Sequence, residues 1–180
     1  MLALTMLVCI VVTALTAWIY HRNGFVLLFY VCAVFGAISA HFVVMHVFAA
    51  VVFAVFNNKY KVGNFWFRPK RFEKRLYKFL CVRKWKSYLK AWDADAYSLE
   101  LNDGHSVLMR LCHAEIVHEV IAIAGFLPMV ISFYIPKTFW LFCVSSIIFC
   151  FIHIAFAVVQ RYNRPRFLRI IEHRKRKDVG

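Results

Sequence analysis

The sequence predicts an all-α integral membrane protein with about four transmembrane helices and a basic, amphipathic cytosolic segment between the second and third. Hydrophobic residues make up 62% of the 180-residue chain, compared with about half in soluble domains. Its apolar runs are long enough to cross a bilayer core, which takes about 20 helical residues. Its basic residues are concentrated between and after these runs. These observations exclude a soluble globular domain.

The four predicted spans cover residues 2–20, 25–56, 114–135 and 138–159. The second is longer than a bilayer requires, so it is either one strongly tilted helix or a pair of helices broken near Gly36. Pro128 is expected to kink the third span. Residues 1–180 are expected to form a single membrane domain, with a cytosolic loop over 57–112 and a cytosolic tail over 160–180.

The basic residues predict the topology. Of the 23 Lys and Arg residues, 13 lie between Asn57 and Cys112 and eight follow Gln160, whereas only Arg22 and Lys137 lie in the other two loops. The positive-inside rule therefore places the central loop, the tail and both termini in the cytoplasm. The net charge of +14 is explained by anionic headgroups at the membrane surface, so nucleic acid is not expected as a partner.

The central loop contains a predicted amphipathic helix. Pro69 can occupy the first turn of a helix. After it, Phe72, Leu76, Phe79 and Leu80 recur at helical spacing. The cations on the opposite side are Lys70, Lys74, Arg75 and Lys78. This pattern is typical of a basic helix that lies in the membrane interface and contacts anionic headgroups.

Glu115, His118 and Glu119 share one helix face at the start of the third predicted span. Ionisable groups inside a membrane are costly unless they are partnered or functional. A carboxylate beside an imidazole orients the ring and raises its basicity, so His118 is a candidate general base and Glu115 its orienting partner. The alternative is a polar helix end that only reaches toward the interface.

The same Glu-x-x-His spacing also occurs in di-iron helix bundles, where two copies of the motif supply ligands. This chain has a single copy, so a di-iron set cannot be assembled from it. Zinc held by His118, Glu115 and one distant histidine remains an alternative, but no metal or other cofactor is expected. The remaining intramembrane histidines are interpreted as packing or hydrogen-bonding residues; they are His41, His46 and His153.

A second polar group follows the last predicted span. The positive-inside rule explains its arginines and its tyrosine but not its amides. Arg161 and Arg164 lie one turn apart, so both could hold a phosphate. The substrate-binding candidates are Arg83, Trp85 and Lys86 in the central loop, and Gln160, Arg161, Tyr162, Asn163 and Arg164 at the start of the tail.

Four strings of residues resemble a known family. They are Phe67-Arg68-Pro69 leading to Phe72-Glu73, Val82-Arg83-Lys84-Trp85-Lys86, Ala114-Glu115-x-x-His118 and Val159-Gln160-Arg161-Tyr162-Asn163-Arg164-Pro165-Arg166. In this order and spacing, over about Trp66 to Arg169, the chain resembles the bacterial glycosyl-diaponeurosporenoate acyltransferases of the staphyloxanthin carotenoid pathway. The last string is long and therefore specific.

The resemblance implies a small multi-pass enzyme of the bacterial inner (plasma) membrane that esterifies a sugar hydroxyl of a glycolipid with a fatty acyl group. Its working residues would be Glu115 and His118, with Arg83, Trp85, Gln160, Arg161, Asn163 and Arg164. Acyl-CoA or an acyl carrier protein is expected as donor, and a membrane lipid as acceptor. The alternatives are a non-enzymatic protein that binds anionic lipids and a metal-dependent membrane enzyme.

Overall fold

The structure is a computed structural model that describes residues 2–57, 59–89 and 95–179. Residues 58 and 90–94 of the predicted cytosolic loop, and residues 1 and 180, therefore lie outside the described part. Seven α-helices are described: α1 (Leu2–Asn23), α2 (Val26–Phe56), α3 (Glu73–Phe79), α4 (Val82–Trp85), α5 (Gly104–Ala124), α6 (Pro128–Ser132) and α7 (Phe139–Val179). Short 3-10 helices cover Phe65–Phe67, Asp95–Tyr97 and Pro136–Thr138.

Three of the described helices contain segments long and apolar enough to cross a membrane, namely Leu4–Asn23, Val26–Phe56 and Phe139–Arg174. The predicted all-helical membrane class is confirmed at this level. α1 ends at Asn23 and is followed by Gly24, whose positive φ of 67° suits a residue without a side chain. α2 begins at Val26. α2 is one unbroken helix of 31 residues, so the alternative of a break near Gly36 is wrong.

The predicted third span, 114–135, is not one helix. α5 ends at Ala124, and the chain turns through Gly125 before Pro128 opens α6. A side chain at Gly125 would meet Phe149 Cδ1 at 2.9 Å, so this turn packs closely against α7. Pro128 has no amide hydrogen and disfavours helical backbone in the preceding residue. The expected kink within a continuous helix is therefore replaced by a helix end.

The amphipathic helix of the central loop is shorter than predicted. α3 begins at Glu73, four residues after Pro69, and has seven residues. It ends where Cys81 adopts the left-handed conformation with φ of 50°. The Trp85 indole closes this turn by donating from Nε1 to the Leu80 carbonyl at 2.7 Å. The apolar side chains on its outer side are exposed, as an interface-lying helix requires; Phe79 is 84% exposed.

α7 continues through Pro165 and joins the predicted fourth span to the basic tail in a single 41-residue helix. The tail therefore continues the same helix. Its apolar stripe, Phe167, Leu168 and Ile171, packs against the buried residues Val107, Leu108 and Leu111 of α5. The start of α5 is capped by Asp103, whose carboxylate accepts from the amides of His105 and Ser106 at 3.0 and 3.2 Å.

The residues form two compact units, 1–51 with 120–153 and 52–119 with 154–180. Inside the first unit, His41 Nδ1 bonds the Ala37 carbonyl at 2.7 Å and its Nε2 lies 3.3 Å from the Ser146 hydroxyl. The Phe149 ring packs between the rings of His41 and His153, with centroids 4.6 and 4.4 Å away. These are the contacts of packed and hydrogen-bonded histidines. All of the candidate site lies in the second unit.

Candidate active site

Glu115 is the centre of a buried ion-pair network. Its side chain is completely buried, and each carboxylate oxygen accepts from an arginine of α7. Arg161 Nη1 donates to Oε1 at 2.8 Å, and Arg164 Nη1 donates to Oε2. A buried carboxylate is strongly destabilising without such partners. The two arginines therefore neutralise Glu115 where α5 packs against α7.

Arg161 extends this network to the central segment. Its Nε donates to Glu73 Oε1 of α3 at 2.9 Å, and its Nη2 donates to the Trp66 carbonyl at 3.0 Å. The second oxygen of Glu73 accepts from the Tyr77 hydroxyl at 3.2 Å. One guanidinium thus holds a 3-10 helix, α3 and α5 in place, because its planar fork presents donors in several directions.

Arg164 is more deeply enclosed than Arg161. It is 2% exposed, its Nη2 donates to the Phe67 carbonyl, and its guanidinium lies 4.8 Å from the centroid of the Phe67 ring. A phosphate could reach this guanidinium only by displacing Glu115 or the carbonyl. The sequence predicted that Arg164 binds substrate, whereas its contacts in the structure are those of a packing and positioning group.

Glu119 completes the network on the next turn of α5. One of its oxygens lies 3.8 Å from Arg161 Nη1, and the other accepts from the Trp66 indole at 2.9 Å. We call Glu73, Glu115, Glu119, Arg161 and Arg164 the carboxylate–guanidinium network. The Arg161 side chain keeps 18% exposure against 3% for Arg164, so Arg161 is the more accessible arginine of this network.

His118 lies one turn after Glu115 on α5 and is half-buried. Its imidazole stacks on the Phe156 ring of α7 with centroids 5.0 Å apart and an angle of 16° between the planes. The sequence argument paired Glu115 with His118, but the structure gives both Glu115 oxygens to arginine donors. The contact with the Phe156 ring fixes the plane of the His118 imidazole.

A cavity of about 910 Å³ lies beside the network. Its lining is mostly basic and comes from the central segment and α7; the lining residues are Pro69, Lys70, Arg71, Glu73, Lys74, Tyr77, Lys78, Cys81, Arg83, Lys84, Tyr162, Pro165, Arg166 and Arg169. We call this cavity the basic groove. Glu73 belongs to both the groove and the network, so the two features share a wall.

Tyr162 of α7 lines the groove, and Lys86 of the central segment lies beside it, with its Nζ 5.2 Å from the centroid of the Tyr162 ring. Arg166 Nη2 donates to the Tyr162 hydroxyl at 2.5 Å and its guanidinium lies 4.0 Å from the ring centroid. Lys86 Nζ donates to Asn163 Oδ1 at 3.0 Å. Burial lowers the pKa of Lys86, and the nearby charges of Arg166 and Arg83 lower it further. Cations are therefore crowded together beside Tyr162.

A family model described as glycosyl-4,4'-diaponeurosporenoate acyltransferase matches residues 63–173, which is more than half of the chain. The chain belongs to this family. No curated protein and no solved structure matched the chain. The resemblance predicted from the four strings is confirmed.

The region matched by the family contains His118, the whole carboxylate–guanidinium network and the whole basic groove. Of the predicted substrate-binding residues, Arg83 and Tyr162 line the groove, and Lys86 is joined to Asn163. Gln160 is half-buried on α7. Trp85 donates to the Leu80 carbonyl, which places it as the residue that closes the turn between α3 and α4.

Several residues of the site were missed by the sequence reasoning. Glu73 had a signal, because it is the one acidic residue in the strongly basic stretch from Lys59 to Lys90. Arg166 ends the family string at the start of the tail, whereas Arg169 had no signal beyond its charge. His113, whose Nδ1 lies 2.7 Å from the Tyr60 hydroxyl, was not among the predicted site residues. Among residues 2–57, 59–89 and 95–179, no group of three or more His, Cys, Asp and Glu could hold a metal.

Proposed function

We propose that the chain transfers a fatty acyl group from a thioester donor to a hydroxyl of a membrane glycolipid, with His118 as general base. The observation that carries this proposal is the position of His118 on α5, one turn from the buried Glu115–arginine pairs and within the region matched by the acyltransferase family. The family description names a glycosylated carotenoid acid, so a sugar hydroxyl is the proposed acceptor group.

The proposed step is direct transfer. His118 takes the proton of the sugar hydroxyl as its oxygen attacks the thioester carbonyl, because a neutral hydroxyl is a poor nucleophile. The new C–O bond forms a tetrahedral intermediate, whose collapse breaks the C–S bond. The imidazolium then returns its proton to the departing thiolate. The products are an ester and a free thiol, and no redox partner is needed.

Arg161 is the proposed partner of the developing oxyanion, because it keeps partial exposure while it is held in place by Glu73 and Glu115. A fixed donor in such a position typically contributes about 3 kcal/mol to transition-state stabilisation. Glu115 and Arg164 act as positioning residues that hold Arg161 and α7 in register with α5. Gln160 and Asn163 are proposed to contact the acceptor.

The apolar helices support a reaction at a membrane. We propose that the site opens at the cytoplasmic leaflet of the bacterial plasma membrane, because the groove cations belong to the two segments that the positive-inside rule places in the cytoplasm. A membrane-embedded acceptor and a cytoplasmic donor would then meet at the same depth.

The test is acyl transfer by purified protein in neutral-lipid nanodiscs, with glycosyl-4,4'-diaponeurosporenoate as acceptor and radiolabelled acyl thioesters as donors. General-base catalysis typically contributes a factor of about 10² to 10⁴, so His118→Gln should lose that much turnover. His105→Gln is the matched control, because His105 is an exposed histidine of the same helix.

Near-wild-type transfer by His118→Gln would refute the catalytic assignment. A non-enzymatic lipid-binding protein would show no transfer in the wild type, and its lipid binding would decline in small, interchangeable steps as any basic residues are neutralised. Both outcomes are distinguishable from a selective loss of turnover in His118→Gln.

A further inference from the structure

The basic groove carries far more positive charge than its own lining neutralises. The described residues that line it include eight cations, namely Lys70, Arg71, Lys74, Lys78, Arg83, Lys84, Arg166 and Arg169, and one carboxylate, Glu73. Glu73 already accepts from Arg161 and Tyr77. Within the described part of the chain, none of the eight forms an ion pair with a carboxylate. Such a field attracts a multivalent anion.

The contacts of the groove cations use only part of their hydrogen-bond donors. Lys70 donates to the Phe65 carbonyl and Arg169 to the Pro165 carbonyl, and both acceptors are neutral. Lys74 and Lys78 lie one turn apart on α3 with exposed side chains. Both residues line the cavity, at a spacing that suits neighbouring phosphate oxygens.

We propose that the basic groove binds the phosphate groups of an acyl donor of the coenzyme A type, a nucleotide that carries several phosphates and a thioester. This inference rests on the proposed acyl transfer and names the donor class for it. The charge count favours a polyphosphate, since a phosphodiester lipid headgroup supplies about one negative charge whereas eight cations line the groove. The volume of about 910 Å³ also lies within the range of small-molecule sites, about 300–1,000 Å³.

The position of the groove suits a donor that carries phosphates at one end and the reacting thioester at the other. Glu73 lies in the groove wall, and Arg161 joins it to Glu115 on the helix that carries His118. The phosphates would be held by α3, α4 and the tail part of α7, and the network would separate them from the reacting carbonyl. An anion in the groove does not need to displace the partners of Arg164.

The experiment measures binding of coenzyme A, without acyl transfer, to the full chain in nanodiscs of zwitterionic lipid. Coenzyme A should bind, should bind more weakly as salt is raised, and should lose about tenfold or more in affinity in the double variant Lys74→Ala, Lys78→Ala, because charge-assisted hydrogen bonds are removed. Pantetheine, which lacks phosphate, should not compete. The matched control is Arg75→Ala with Lys177→Ala, which removes two exposed charges outside the groove lining.

The proposal would be overturned if the wild type did not bind coenzyme A, or if the groove and control variants lost the same affinity for it. If the wild type did not bind coenzyme A but bound nanodiscs of anionic lipid through the groove, the groove would be assigned to headgroups. Acyl transfer from another donor with no coenzyme A binding would refute this proposal alone. Coenzyme A binding without acyl transfer to any hydroxyl would refute the proposed function alone.

Discussion

The Arg161 guanidinium and the Glu73 carboxylate are joined across 88 positions of sequence, with Arg161 Nε donating to Glu73 Oε1 at 2.9 Å. Both side chains are largely buried, with exposures of 18% and 5%. The contact ties the central basic segment to α7. A segment that composition alone describes as an interfacial loop is therefore a fixed wall of the candidate site.

The first prediction concerns Glu115. Glu115→Gln removes the carboxylate that Arg161 and Arg164 share. Removing one partner of a buried ion pair typically costs about 3–5 kcal/mol. The free energy of unfolding in detergent should fall by an amount of that order. Glu100→Gln, at an exposed carboxylate, should change little.

A double-mutant cycle separates the ion pair from general damage. The combined variant Glu115→Gln, Arg164→Met should cost clearly less than the sum of its two single variants, because the second substitution removes the unpaired charge that the first one creates. Strict additivity would show that these two groups do not interact in the folded protein.

The second prediction is a pH dependence at Tyr77. Burial, then the charge of Glu73 and the hydrogen bond to it, raise the pKa of Tyr77 above its ordinary value of 10.0. Above about pH 10 the unfolded chain releases this proton while the folded chain keeps it, so the unfolded state binds fewer protons and stability falls as pH rises.

Tyr77→Phe removes this effect together with the hydrogen bond to Glu73. The variant should lose about 1 kcal/mol at neutral pH, but its stability should decline less steeply than the wild type between about pH 9 and about pH 11. Chemical unfolding across that range measures both values. Tyr88→Phe, at a tyrosine that is 83% exposed, should keep the wild-type slope; an unchanged slope in Tyr77→Phe would contradict the prediction.

The third prediction tests the packing of the α7 tail on the start of α5. A Cβ at Gly104 would lie 2.8 Å from Ile171 Cγ1, so Gly104→Ala should destabilise the protein by about 1–3 kcal/mol through overpacking. The same substitution should be harmless in an Ile171→Ala background. Gly63→Ala is the control, since no atom lies within 4 Å of its added Cβ.

The fourth prediction is the topology. Four spans place Arg22 and Lys137 outside and Lys84 and Lys177 in the cytoplasm, whereas three spans place the two termini on opposite sides. Single cysteines introduced at these positions in a cysteine-free background can be labelled with an impermeant reagent in intact cells. Labelling at Arg22 and Lys137 only is expected, and protection of Lys137 would eliminate the four-span arrangement.

Hydropathy was sufficient for the membrane class and for α1, α2 and the apolar part of α7, because an uninterrupted apolar run of this length has few other stable conformations. It failed for residues 114–135, where the run is also mostly apolar but Gly125 and Pro128 end the helix. The backbone conformations that Gly125 and Pro128 favour determine where this helix ends, and hydropathy does not reflect them.

The sequence predicted the positions of the candidate site residues better than it predicted their contacts. The spacing of Glu115 and His118 predicted one shared face of a helix, and the string from Gln160 to Arg164 falls on the turn of α7 whose arginines contact Glu115. The pairing of Glu115 with two arginines was not predictable, since spacing within one helix says nothing of a partner 46 or 49 residues away. The pairing followed only once the packing of α5 against α7 was known.

The shared use of Glu115 by two arginines also constrains how this family can diverge. A relative that lost Arg164 alone would leave the buried Glu115 with one arginine partner instead of two, and a relative that lost Glu115 alone would leave the buried Arg164 without a carboxylate. Substitutions at Glu73, Glu115, Arg161 and Arg164 should therefore be inherited as correlated sets. An aligned family in which these four positions vary independently would mean that the interior charges are balanced in another way in those relatives.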